Sequence, residues 1–364
     1  MKSIYKLALL ALFIPTLAFG FTHAKKPKHE KSKTVKKEFS VNSDAKLSVH
    51  NKYGNLNITT WDQNTIDIQV VITVKGDDLD DVKERLDDID IEFESNAGMV
   101  EAKTIFENNR NSSWSWWRRN NRKNMSMKIN YTIKMPKSNS VNLNNDYGNI
   151  YLDEIDGKAS LNCDYGKIEI GKLNNDSNSI NMDYCGSSNI DFMKNGSVNA
   201  DYSKLTIEKA GKIDANIDYT TLKIEDAEAV DFNADYGGVT VNKANSIRGN
   251  SDYTNIRLGS IAKRITVDSD YGSVVVKKLE AGFESVNIET QYASVKINVD
   301  PSAAFNFEIN TQYSGFKTDL DPIQFFKKIT KTTKRYYEGK YGPGSNGGTI
   351  KIRSQYGGVS IEQY

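Results

Sequence analysis

The stretch "NADYSKLTIEKAGKIDANIDYTTLKIED", residues 199–226, states one pattern twice, "NADYSKLTIE" and then, seventeen residues later, "NIDYTTLKIE". The pattern runs far beyond this pair. Tyr preceded by Asp recurs at 147, 165, 184, 202, 219, 236, 253 and 271, in steps of 17 to 19 residues. Gln replaces Asp before Tyr292, Tyr313 and Tyr356, where the steps lengthen to 21, 21 and 43. "LSVHNKYGNLNI" around Tyr53 is a forerunner.

Alignment on the tyrosines gives each unit its shape. Four residues before Tyr the chain is mostly apolar (Leu161, Ile180, Val198, Phe232, Val267), and two before it is mostly small (Cys163, Ala200, Ala234, Ser251). Three and five residues after it stand further apolar residues, such as Leu205 with Ile207 and Leu222 with Ile224. Strict alternation on both sides of a two-residue interruption reads as strand, tight turn at Tyr, strand. A unit of 17–18 residues is too short for a propeller blade or a helical repeat. It fits one coil of a β-solenoid, each coil pairing with the next at ~4.8 Å. The predicted fold is therefore mainly β, a β-solenoid (β-helix) of about 17–18-residue coils. About eleven coils would extend on the order of 50 Å.

Both ends need closure, because an open coil exposes strand edges and core. Residues 38–136 read as a cap of strands plus one helix. "DDLDDVKERLDDI" (77–89) carries apolar residues at helical spacing, with Asp77 or Asp78 available as N-cap. Residues 137–364 form the repeat domain. Within it, 321–335, "DPIQFFKKITKTTKR", places Ile323, Phe326 and Ile329 on one helical face behind Asp321 and Pro322, and predicts a short C-terminal helix insertion. The last strands, "GTIKIRSQYGGVSIEQY", then close the repeat.

Residues 1–24 read as a secretory signal peptide, with Lys2 and Lys6 ahead of an apolar run to Phe19 and cleavage after Gly20 or Ala24. The run is shorter than the ~20 residues a spanning helix needs, and no other segment is apolar enough to cross. Without Lys2 and Lys6 the chain has 46 basic and 47 acidic residues, so the net charge falls from +1 to −1. Residues 25–37 hold seven Lys and one Glu, and read as a Lys-rich linker before an acidic body. Export together with that acidic body argues against a nucleic-acid partner.

Material for catalysis is sparse. Only His29 and His50 remain after the signal, and there are two Cys. No catalytic residue, metal site or cofactor is expected. Cys163 and Cys185, offset by three residues between adjacent units, are expected ~10 Å apart as free thiols. The Asp-Tyr motif reads as structural. Asp fixes each turn through its carboxylate, Asn three before Tyr forms an outer amide ladder, and Tyr, with inward parity, stacks inside the corner. The Asp column could alternatively be a calcium ladder, but the Gly-rich nonapeptide of calcium solenoids is missing.

One segment stands apart. "NNRNSSWSWWRRNNRKN" (108–124) brings Trp114, Trp116 and Trp117 beside Arg118 and Arg119 between two strands. Clustered Trp and Arg supply much of the contact energy at interfaces, which makes these five the candidate partner-binding residues. An envelope protein or a surface glycan is the expected partner.

"KYGNLNITTWDQNTIDIQVVITVKG", "NYTIKMP" and the serial "DYGxIxI" units resemble the bacterial DUF4097 family of proposed adhesin domains, over roughly residues 38–364. The resemblance implies an exported, non-enzymatic β-solenoid of the cell envelope, periplasmic or at the cell surface. Two other readings stay open: a carbohydrate-active β-helix enzyme, and a purely structural scaffold.

Overall fold

The structure is a computed structural model that describes residues 26–106, 124–343 and 347–364. The signal-peptide region and all five Trp-loop candidates, Trp114, Trp116, Trp117, Arg118 and Arg119, lie outside the described residues.

The chain is mainly β, with one α-helix among the described residues. Successive units pair in parallel and in register. Val198 lies beside Ala215, Ala215 beside Phe232, and Asp201 beside Asp218 beside Asp235. The alternation read from the sequence sets this register: a slip of one residue would turn every apolar side chain to solvent. The strands before and after each Tyr bury alternate residues, and both contribute to one contiguous core.

The N-terminal segment extends the same two runs. On the side before the tyrosines, Ile89–Asn96 pairs with Met99–Phe106, then Lys46–Lys52, then Ser140–Asp146. On the side after them, His29–Ser40 pairs with Thr65–Gly76, then Ser126–Pro136, then Leu56–Trp61, then Ile150–Ile155. The stretch read as a linker is therefore strand from His29 onward. Its partner Thr65–Gly76 alternates buried and half-buried residues and has an edge to cover. The helix falls where its spacing placed it, at Leu79–Asp87, with the Asp78 carboxylate accepting the N–H groups of Asp80 and Asp81 at 2.9 and 3.0 Å.

Two C-terminal expectations are corrected. Residues 321–335 are not a helix. Ile323–Thr330 and Lys334–Tyr341 form an antiparallel hairpin, and its second strand pairs with Phe305–Gln312. The i, i+3 spacing of Ile323, Phe326 and Ile329 satisfied a helical pattern. The open edge of Phe305–Gln312 offered backbone bonds that a helix could not make, and the aromatic and β-branched residues here suit a strand. Nor does the chain end close the repeat. Gly348–Gln355 inserts between Ser285–Val299 and Phe305–Gln312, placing Ile352 between Ile288 and Ile309.

The cysteines are free, as expected, and both are buried. Their separation differs from the expectation. Cys185 Sγ lies 3.0 Å from the carbonyl oxygen of Cys163, so the two residues are in contact. The three-residue irregularity after Tyr184 folds Cys185 back into the core rather than carrying it along the strand. The adjoining Cys185 side chain and burial together push the Cys163 thiol up, so it stays protonated.

Candidate functional site

Each turn is built by a tyrosine in the left-handed region. Twelve tyrosines, from Tyr53 to Tyr356, have φ between 49° and 65°. Among the described residues only Asn124 otherwise shares this sign without being glycine. A non-glycine residue in this region costs on the order of 1–2 kcal/mol. The turn itself is fixed by the backbone. The Tyr202 N–H donates to the Asp218 carbonyl at 3.0 Å, and that of Tyr219 to the Asp235 carbonyl at 2.9 Å, one unit on.

The residue after Tyr turns inward against the neighbouring unit. At Gly148, Gly166 and Gly237 a Cβ would come within 1.8, 1.9 and 2.1 Å of a carbonyl oxygen of that unit. Elsewhere a small hydroxyl residue serves. Thr220 Oγ1 donates to the carbonyls of Asp218 and Ala200, both at 2.9 Å, and accepts the Ser203 N–H at 3.0 Å. Ser203 Oγ accepts the Cys185 N–H in the same way.

The left-handed turn overturns the inward placement of the tyrosines. Parity counting assumes extended backbone at every position, and a left-handed residue swings its Cβ to the other side. From Tyr147 to Tyr356 the repeat tyrosines are 41–53% exposed. The stacking holds: neighbouring centroids lie 4.6–5.4 Å apart with planes within 15° of parallel. The order is non-sequential at the end, Tyr271, Tyr292, Tyr356, Tyr313. At the other end the half-buried Tyr53 meets Phe106 edge-on.

A second column borders the first. The residue before Tyr is Lys52, then Asp at eight units, then Gln291, Gln355 and Gln312 in stack order. Lys52 pairs with Asp146 at 3.2 Å. The carboxylates do not fix the turns. Among the described residues no hydrogen bond reaches the Asp218 carboxylate, and Thr220 occupies the Asp218 carbonyl instead. Partial desolvation and the flanking Asp201 and Asp235 raise the Asp218 pKa, and Asp164 and Asp252 rise for the same reasons. Among the described residues no three His, Cys, Asp or Glu side chains are placed to hold a metal ion. The amide ladder is present on the outer face: Asn199 donates to Asn181 at 2.8 Å and Asn181 to Asn162 at 2.6 Å, while Asn144 meets His50 Nδ1 at 2.8 Å.

The stack decides what this surface can do. Ring faces are covered by neighbours, so no planar ligand can enter between them. What faces solvent is a ribbon, roughly 50 Å long at strand spacing, of ring edges and phenol hydroxyls. Each hydroxyl both donates and accepts, and each ring edge carries partial positive charge. The ladder was legible in sequence only as a column.

No family model and no curated protein matches the chain. Among solved structures it is similar to a proposed cell adhesion protein from Clostridium sporogenes (12% identity, 92% of this chain and 100% of that one, TM-score 0.17). It is also similar to a proposed adhesin from Parabacteroides merdae (15% identity, 72% and 95%, TM-score 0.32) and a proposed lipid-binding protein from Parabacteroides distasonis (11% identity, 90% and 96%, TM-score 0.26). The likeness to DUF4097 is a resemblance in the residues alone.

Proposed function

We propose that this is a non-enzymatic, exported cell-envelope protein, adhesin-like in action. Its repeats wind as a β-solenoid that presents the tyrosine ladder as an extended contact surface for a surface polymer or an envelope partner. One observation carries the reading. Eleven tyrosines stand about half exposed in a backbone region where Gly would be cheaper by on the order of 1–2 kcal/mol. Non-glycine residues held there tend to collect at functional sites. A repeating row of edges and hydroxyls suits a partner that is itself extended. Export rests on the sequence of residues 1–24, and no described helix is long and apolar enough to cross a membrane.

The test is a triple variant, Tyr202→Gly, Tyr219→Gly and Tyr236→Gly, which removes three adjacent rings without backbone strain. Retention of the mature protein by native envelope fractions should fall at unchanged secondary structure. A folded variant retained like wild type would refute the ladder as a contact surface.

A further inference from the structure

Where the Asp column gives way to Gln, the surface changes sign. Beside the last rungs lies an open groove of about 430 Å³. Its walls carry Lys327, Lys331, Lys334, Arg335 and Arg353, and no acidic residue lines it. Arg353 is paired with Glu289 at 2.8 Å. Among the described residues the other four make no ion pair. Arg335 Nη1 donates to the Ser314 carbonyl at 2.9 Å, which fixes its place, and Lys327 Nζ stands 5.4 Å from the centroid of the Tyr336 ring.

The fold concentrates these charges. Lys334–Tyr341 lies antiparallel to Phe305–Gln312, and Ile323–Thr330 flanks it. The short turn between the hairpin strands is closed by the Lys331 N–H on the Lys334 carbonyl at 2.8 Å. Lys331 and Lys334 are thereby held side by side at the rim. Four like charges gathered without counter-charges repel, whereas elsewhere Lys194 pairs with Asp176 and Lys296 with Glu362. The groove also offers uncharged recognition. Asn310, Gln312 and Gln355 present amides suited to hydroxyl groups, and Ile329 and the Tyr336 ring supply an apolar wall.

We propose that this groove binds an acidic saccharide, a sugar chain bearing carboxylate, sulfate or phosphate groups. Cations fix the acid group, amides read hydroxyls, and the Ile329–Tyr336 wall takes the C–H face of the sugar. A bare anion would not need the amides and the apolar wall, and a neutral glycan would leave four cations unanswered. The site is independent of the tyrosine ladder.

The experiment uses the full mature chain and an oligogalacturonate probe, with the matching neutral oligogalactoside, inorganic phosphate and phosphatidylglycerol vesicles as comparison arms. Oligogalacturonate should bind, more weakly as salt rises, and the neutral oligomer should not. Lys331→Gln with Lys334→Gln should weaken binding about tenfold or more. Lys209→Gln with Lys212→Gln, which changes the net charge equally on the body, should leave binding within about twofold. The Tyr202, Tyr219 and Tyr236 glycine variant should also bind normally, which separates this site from the ladder. Equal binding of the neutral oligomer, equal loss in the Lys209 and Lys212 control, binding of phosphate as tightly as the oligomer, or binding to vesicles alone would each overturn the proposal.

Discussion

At the scale of the residue, the tyrosines hold two opposed contributions in near balance. Left-handed backbone costs each about 1–2 kcal/mol. Aromatic stacking returns about 0.5–1.5 kcal/mol per pair beyond buried area. Tyr219 stacks on Tyr202 at 4.8 Å and Tyr236 at 4.9 Å. Tyr219→Gly should therefore stay within about 1 kcal/mol of wild type, because relieved strain offsets lost stacking. Tyr219→Ala keeps the strain and loses the stacking, and should unfold at lower denaturant by about 1–2 kcal/mol. Ala ranks above Gly in ordinary strands, so an inverted order in urea melts is the signature of the turn. Asp218 obeys a different balance. Its carboxylate makes no turn bond, so Asp218→Asn removes repulsion and loses nothing. The variant should gain on the order of 1 kcal/mol at pH 7, from two neighbours at ~0.9 kcal/mol each in water, partly relieved by splaying. The sign of the pH effect follows from the raised folded pKa. The folded state holds the proton more tightly than the unfolded one, so stability falls as pH rises through the shifted pKa. The advantage of the Asp218→Asn variant over wild type should shrink as pH drops into the carboxylate range. An advantage that grows on acidification would show that the carboxylate accepts a bond after all.

At the scale of the element, register makes neighbouring units complementary in volume. In the column four residues before Tyr, Phe232 lies beside Gly249, and both sit inside the core. A Cβ on Gly249 would fall 2.1 Å from Phe232 Cζ. Gly249 is thus required by the ring of the preceding unit rather than by its own backbone. Gly249→Ala should cost about 1–3 kcal/mol through overpacking, read as a shift in urea midpoint. Adding Phe232→Leu should recover part of that loss, whereas Phe232→Leu alone should destabilise; simple additivity would mean the two do not share space. The same scale shows what sequence reading could and could not reach. Alternation around each Tyr gave the strands, and helical spacing with Asp78 gave the one described helix. The hairpin at 323–341 was hidden because Ile323, Phe326 and Ile329 fit a helical spacing, while the strand they form shifts register between Phe325 and Lys327 and so breaks the alternation that would have marked it. The outward tyrosines were hidden because parity cannot see a left-handed residue. The basic groove joins residues 310–312, 327–336 and 353–355, drawn from four strands whose adjacency no spacing reveals.

At the scale of the whole molecule, the C-terminal order governs how the protein holds together. The step of 43 residues from Tyr313 to Tyr356 marks a return rather than another unit. Gly348–Gln355 and Val359–Gln363 sit between Ser285–Val299 and the final strands, bonded on both sides. Tyr356 is accordingly an internal rung, 4.6 Å from Tyr292 and 4.7 Å from Tyr313. Truncation after residue 343 would then not trim an end. It would remove a middle unit, leaving two unpaired parallel edges facing one gap and burying nothing against Ile288 and Ile309. The segment 300–343 should detach as a body, since its remaining bonds are mostly internal to the Phe305–Gln312 and hairpin sheet. Limited proteolysis of the truncated protein should cut first between about 299 and 305, while the units from Tyr147 to Tyr271 keep their protection, because neighbours in such stacks stabilise one another locally. Exposed edges should also make the truncated protein self-associate with rising concentration. In the full chain Phe305–Gln312 reaches Ser285–Val299 only across the inserted Gly348–Gln355. A truncated protein that resists protease through 300–343 as wild type does would show that Phe305–Gln312 pairs directly with Ser285–Val299, and that the inserted strand is an accessory rather than the keystone of that end.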